Sequence, residues 1–132
     1  MGDVLIPNNM KFKISNERFF IAAFLTVLFI RSLIYFSRYF VPETHLTYGG
    51  YIIHHFWFGF VLILISLFIS SKYLRAKNIL LGIGSGPIID ELVFMVIGGG
   101  GYSNYWSLSS IIGMLVCLVI VFFYRKKICY GK

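Results

Sequence analysis

The chain has 132 residues, is 58% hydrophobic and has a mean hydropathy of +0.82. A soluble domain of this size keeps much of its surface wet and has no room to hide that much apolar area, so its solvent includes lipid. The formal net charge of +7 invites nucleic acid as a partner, but the cations sit in short clusters between apolar segments. The basic tail "YRKKICYGK" is too short for a nucleic-acid surface. Two cysteines, Cys117 and Cys129, are too few for a disulfide framework and form no metal-ligand pair.

A helix needs roughly 20 apolar residues to cross the hydrocarbon core of a bilayer. Four segments meet that length in chain order: Phe19 to Phe40, Gly50 to Ser70, Ile79 to Gly98 and Ser107 to Tyr124. The expected fold is all-α, a polytopic bundle of four transmembrane helices over residues 19–124. Residues 1–18 form an N-terminal cytoplasmic segment and residues 125–132 a basic cytoplasmic tail. The run from Phe19 to Ile30 has the length of a secretory signal core, but the following "RSLIYFSRYFVPETH" offers no small-x-small cleavage site, so it reads as a retained helix.

The cations give the orientation. Lys11, Lys13 and Arg18 precede the first segment; Lys72, Arg75 and Lys77 separate the second from the third; Arg125, Lys126, Lys127 and Lys132 follow the fourth. The other two loops offer only Arg38 against Glu43, and "GGGYSNYW" with no cation. By the positive-inside rule both termini are cytoplasmic, in a multi-pass protein of the cell membrane. The excess charge marks the cytoplasmic face. Tyr48, Tyr51, Trp57, Tyr102, Tyr105 and Trp106 fall at the outer ends of segments two and four, where Tyr and Trp favour the headgroup level.

"GSGPIIDELVFMVIGGGG" places Asp90 and Glu91 side by side in an otherwise apolar segment. With a 1.5 Å rise, Asp90 lies roughly 17 Å and Arg31 roughly 18 Å from the cytoplasmic edge, so their depths match. His54 and His55 fall in the same outer half. A charge near mid-membrane costs on the order of 3 kcal/mol and is paired or lines a wet cavity. Two uses follow. Arg31 pairs with an acid and docks the first segment on the third, a role in packing. Alternatively His54, His55, Asp90 and Glu91 are nitrogen and oxygen ligands for a divalent transition metal such as zinc, with His45 as an added ligand. His54, Asp90 and Glu91 are also candidates for acid–base catalysis on a lipid headgroup. The metal spacing is poor, because adjacent helical residues point about 100° apart. A proton path is disfavoured, since the inner half of the four segments holds no ionisable relay.

Arg31, Tyr35 and Arg38 fall on one helical face, a candidate stripe for a lipid phosphate or other anion. Gly82 and Gly86 stand four apart, a spacing that permits close helix packing in lipid, here expected within the chain. Pro87 frees the carbonyl of Ile83, the usual origin of a kink, three residues before Asp90.

The combination "HHFWFG", "GIGSGPIIDE" and "YWS" resembles a group of small, uncharacterised prokaryotic integral-membrane proteins. The likeness covers about His54 to Ser107. It implies that His54, His55, Gly59, Gly82, Gly84, Asp90, Glu91, Tyr105 and Trp106 belong to one motif, and it implies no activity. The chain departs from that pattern at Ile52, where a further histidine is expected. The functional expectation is an outward-facing intramembrane polar site for a metal or lipid headgroup. The alternative is a non-enzymatic subunit of a larger membrane complex whose buried charges are packing ion pairs. The expected partners are the lipid bilayer and other membrane proteins.

Overall fold

The computed structural model describes residues 8–40, 47–48, 51–52, 54–97 and 101–129. The protein is helical: α1 (Asn8–Phe40), α2 (His55–Phe68), α3 (Leu74–Val96), the short α4 (Gly101–Tyr105) and α5 (Leu108–Ile128). A 3-10 turn, Ser71–Tyr73, joins α2 to α3, and the two-residue pair Thr47–Tyr48 with Tyr51–Ile52 is the sole extended pairing among the described residues. His45, Glu43, Lys132 and the first seven residues lie outside the described residues.

Three helices are long and apolar enough to cross a membrane, within Asn16–Phe40, Ser71–Val96 and Leu108–Ile128. The second expected segment is shorter than its sequence suggests. Tyr51 and Ile52 pair as strand, and the helix starts at His55. With 14 residues, α2 is about 21 Å long against a hydrocarbon core of about 30 Å. The ends of α1 and α5 also differ from the expected boundaries. Helix α1 already runs at Asn8, and α5 carries on through Arg125, Lys126 and Lys127.

Helix α3 is the centre. Among the helices it alone is packed by α1, α2 and α5 together, and it buries side chains from Lys77 to Phe94. The outer helices each turn one narrow stripe inward. In α1 the stripe is Asn16, Phe19, Ala23, Val27 and Arg31; in α5 it is Ser110, Met114 and Leu118. Their large apolar residues, such as Phe29, Phe36, Val119 and Phe123, face out. Large apolar residues outside, with a narrow inward stripe that mixes small, polar and apolar side chains, fit a lipid solvent, which gives no hydrophobic drive between helices.

The glycines set the helix spacing. A Cβ on Gly59 of α2 would stand 2.5 Å from the Gly84 carbonyl oxygen of α3. A Cβ on Gly82 would strike the Phe19 carbonyl and lie 2.8 Å from the Ala22 methyl, and one on Gly86 would lie 2.6 Å from the Thr26 side chain. Gly82 and Gly86 therefore seat α1, and Gly84 seats α2, all within the chain. These contacts also give direction: α1 runs parallel to α3, while α2 and α5 run antiparallel to it.

Candidate functional site

The polar residues expected in the outer half come together around Asp90 and Glu91. Asp90 is fully buried and Glu91 is 3% exposed. Arg31 Nε donates to Asp90 Oδ1 at 2.6 Å, joining α1 to α3. Asp90 Oδ2 accepts from His55 Nε2 at 3.1 Å and from the Tyr105 hydroxyl. Glu91 Oε1 accepts from His54 Nδ1 at 2.5 Å. Glu91 Oε2 accepts the backbone N–H of Phe56 at 2.8 Å, with His55 Nδ1 at 3.4 Å. All four carboxylate oxygens are thus engaged by this chain.

The start of α2 explains how both histidines reach one acid pair. Inside a helix, neighbours diverge by about 100°. His54, however, is the N-cap, with extended backbone (φ −76°, ψ 140°), and only His55 is helical. Its own side chain makes no cap. The first N–H groups of a helix lack internal partners and attract negative charge. Glu91, reaching across from α3, supplies both the acceptor and the charge.

Both ring nitrogens of His55 face carboxylate oxygens, Nε2 toward Asp90 and Nδ1 toward Glu91. The permanently charged Arg31 guanidinium gives the buried acids a partner and avoids the several kcal/mol of an unpaired ion. The Arg31 guanidinium also lies 4.6 Å from the Tyr105 ring centroid and 5.3 Å from that of Trp106, and its Nη2 is 3.4 Å from Ser110 Oγ. Arg31 thus ties α1, α3, α4 and α5 together.

Among the described residues no group of three or more His, Cys, Asp or Glu is placed to hold a metal ion. The residues expected to hold a metal, His54, His55, Asp90 and Glu91, form an ion-pair network in which the acids' oxygens face protein donors. The Arg31–Tyr35–Arg38 stripe separates. Arg31 turns inward, whereas Tyr35 and Arg38 are exposed, Tyr35 against Tyr39 and Trp106. Tyr105, expected in the aromatic belt, is buried on Asp90.

A second polar feature was not expected. Lys77, which reads as a loop cation, lies in α3 and is 9% exposed. Its ammonium donates to the carbonyls of Leu67 and Ile69, at 3.4 and 3.3 Å. These are the unpaired acceptors at the C-terminal end of α2, where positive charge is favoured. The end of the bundle away from Asp90 and Glu91 therefore holds a buried ionisable group, engaged in capping. Its place at the end of "SSKYLRAK", a stretch without Gly or Pro, is the one signal that the helix reaches back that far.

No family model, no curated protein and no solved structure matches the chain, so the resemblance rests on the motif residues alone. The structure brings most of them into one place: the two histidines, the two acids and Tyr105 in the network, with Gly59 on Gly84 beneath it.

Proposed function

We propose that this is a multi-pass membrane protein with four crossings and both termini cytoplasmic, in which the intramembrane charges are packing ion pairs and not a reaction centre. It acts as a non-enzymatic structural subunit, with its outward apolar faces left to lipid and to neighbouring membrane proteins. The observation that carries this reading is the saturation of Asp90 and Glu91. A substrate site built on these acids needs an oxygen turned toward the ligand, and here all four turn to donors of this chain. The alternating helix directions support four crossings, with α2 as a short crossing capped at both ends.

The test is membrane abundance and thermal unfolding of Arg31→Leu, Asp90→Asn and Glu91→Gln in detergent. All three are expected to fall below wild type. Wild-type abundance and melting in all three would remove the packing role.

A second reading rests on one atom. His54 Nδ1 is held by Glu91, the ring is about a quarter exposed, and Nε2 has no hydrogen-bond partner among the described residues. An imidazole oriented by a carboxylate with its other nitrogen free is the arrangement of a general base. Under this reading a lipid headgroup meets Nε2 from the outer side. His54→Gln would then abolish turnover or binding of that headgroup while the fold persists; under the packing reading it lowers stability alone.

A further inference from the structure

Exposed cations gather at one end of the bundle. Cys129, which caps α5, packs with Phe19 of α1 and Leu81 of α3, and the Phe20 and Phe122 rings meet edge to face at 5.1 Å. The start of the α1 stripe, the α2–α3 junction and the last turn of α5 therefore share that end. It carries Arg18, Lys72, Arg75, Arg125, Lys126 and Lys127, with Glu17 as the one acid there among the described residues. Lys72, Arg75, Lys126 and Lys127 are exposed, and none of the four forms an ion pair among the described residues. Their neighbours are aromatic. Lys72 Nζ lies 5.9 Å from the Tyr73 ring centroid and Lys127 Nζ 5.4 Å from that of Tyr124, and both tyrosines are exposed. Exposed Tyr beside unpaired Lys, where the apolar helix faces end, is the composition of a headgroup layer.

We propose that this end is a binding surface for anionic phospholipids, with the lipid phosphate held by Lys72, Arg75, Lys126 and Lys127 and the acyl chains lying along the adjacent apolar faces. The proposal rests on the membrane reading of the helices and is independent of the role of the Asp90–Glu91 network. The chemistry selects net negative headgroups over zwitterionic ones, because a zwitterion brings its own cation to the same place. Attraction of this kind is screened by salt.

The experiment is a titration of the detergent-purified full chain with fluorescent phosphatidylglycerol in mixed micelles. Unlabelled phosphatidylglycerol, phosphatidylcholine and inorganic phosphate serve as competitors. Phosphatidylglycerol is expected to bind and to be released by high salt, and phosphatidylcholine to compete poorly. The variant Lys72→Gln/Arg75→Gln/Lys126→Gln/Lys127→Gln is expected to lose at least about tenfold in affinity. Should that variant fail to fold, Lys126→Gln/Lys127→Gln is used, with a smaller loss in the same direction. Equal competition by the two lipids, or unchanged affinity in the folded variant, overturns the proposal. Competition by inorganic phosphate as strong as that by the anionic lipid would assign the patch to free phosphate and overturn the lipid assignment.

Discussion

Lys77 and Glu91, fourteen positions apart on α3, close the two ends of the 14-residue α2: Lys77 donates to the carbonyls of Leu67 and Ile69, and Glu91 accepts the N–H of Phe56 in the first turn. Each charge has the sign that the helix dipole favours at its end. A short helix in a low-dielectric setting cannot leave its terminal groups to water. The opposite charges of α3 do that task across the helix interface, with Gly59 on Gly84 letting the backbones approach between them.

Removing either cap is expected to weaken α2 docking. Lys77→Met takes one donor from the carbonyls of Leu67 and Ile69, a loss of about 1–2 kcal/mol. Glu91→Gln keeps an acceptor for Phe56 but takes the charge from both histidines, a larger loss of roughly 2–4 kcal/mol. Thermal unfolding followed by circular dichroism in detergent checks the order. A Lys77→Met variant more damaged than Glu91→Gln would reverse the assigned weights.

The Gly59–Gly84 contact has no slack. Gly59→Ala places a methyl on a backbone carbonyl, which cannot rotate away. Overpacking of that kind costs typically about 1–3 kcal/mol. Gly59→Ala is expected to lower the melting temperature, and Gly59→Leu to lower membrane abundance as well. Wild-type melting of both variants would mean that α2 does not sit this close to α3.

The proposed four-crossing topology predicts that a reporter inserted at Ser103, in the exposed turn of α4, faces outside. A reporter after residue 132 should face the cytoplasm. A cytoplasmic signal from Ser103 would remove the alternating topology.

Cys129 offers a chemical probe. Its burial against Phe19 and Leu81 pushes the thiol up to about 11, with Arg125 acting in the opposite sense. The thiolate is the reactive form, so maleimide labelling in the folded protein is expected about a hundredfold slower than for an exposed thiol of ordinary pKa. The rate should still climb with pH beyond the range where an exposed cysteine levels off. Rapid labelling at neutral pH would show that the end of α5 is not packed on α1.

That Arg31 pairs with Asp90 or Glu91 was legible in the sequence, because charges at matching depth on segments of the same direction have few other partners; which of the two acids takes it was not. The Gly82–Gly86 seat was legible from its four-residue spacing, whereas the Gly59–Gly84 seat, made between two helices, was not. The reach of both histidines was not. It depends on where α2 begins, and the apolar run from Gly50 gives no capping residue to mark that start. Lys77 was hidden because a cation next to other cations reads as loop, and its burial is decided by the end of a different helix. Tyr105 was hidden by its neighbours, since a Tyr beside a Trp near a loop is the pattern of the interface belt.

The most direct test of the network is a double-mutant cycle on Arg31 and Asp90, with thermal unfolding in detergent of Arg31→Met, Asp90→Asn and the two together. Each single change leaves a buried group without its partner, so each should destabilise, by about 3–5 kcal/mol for the loss at Arg31. The double variant should be more stable than the sum of the single losses by at least about 1 kcal/mol. Additive losses, with no coupling between the two positions, would contradict a bundle held by this ion pair.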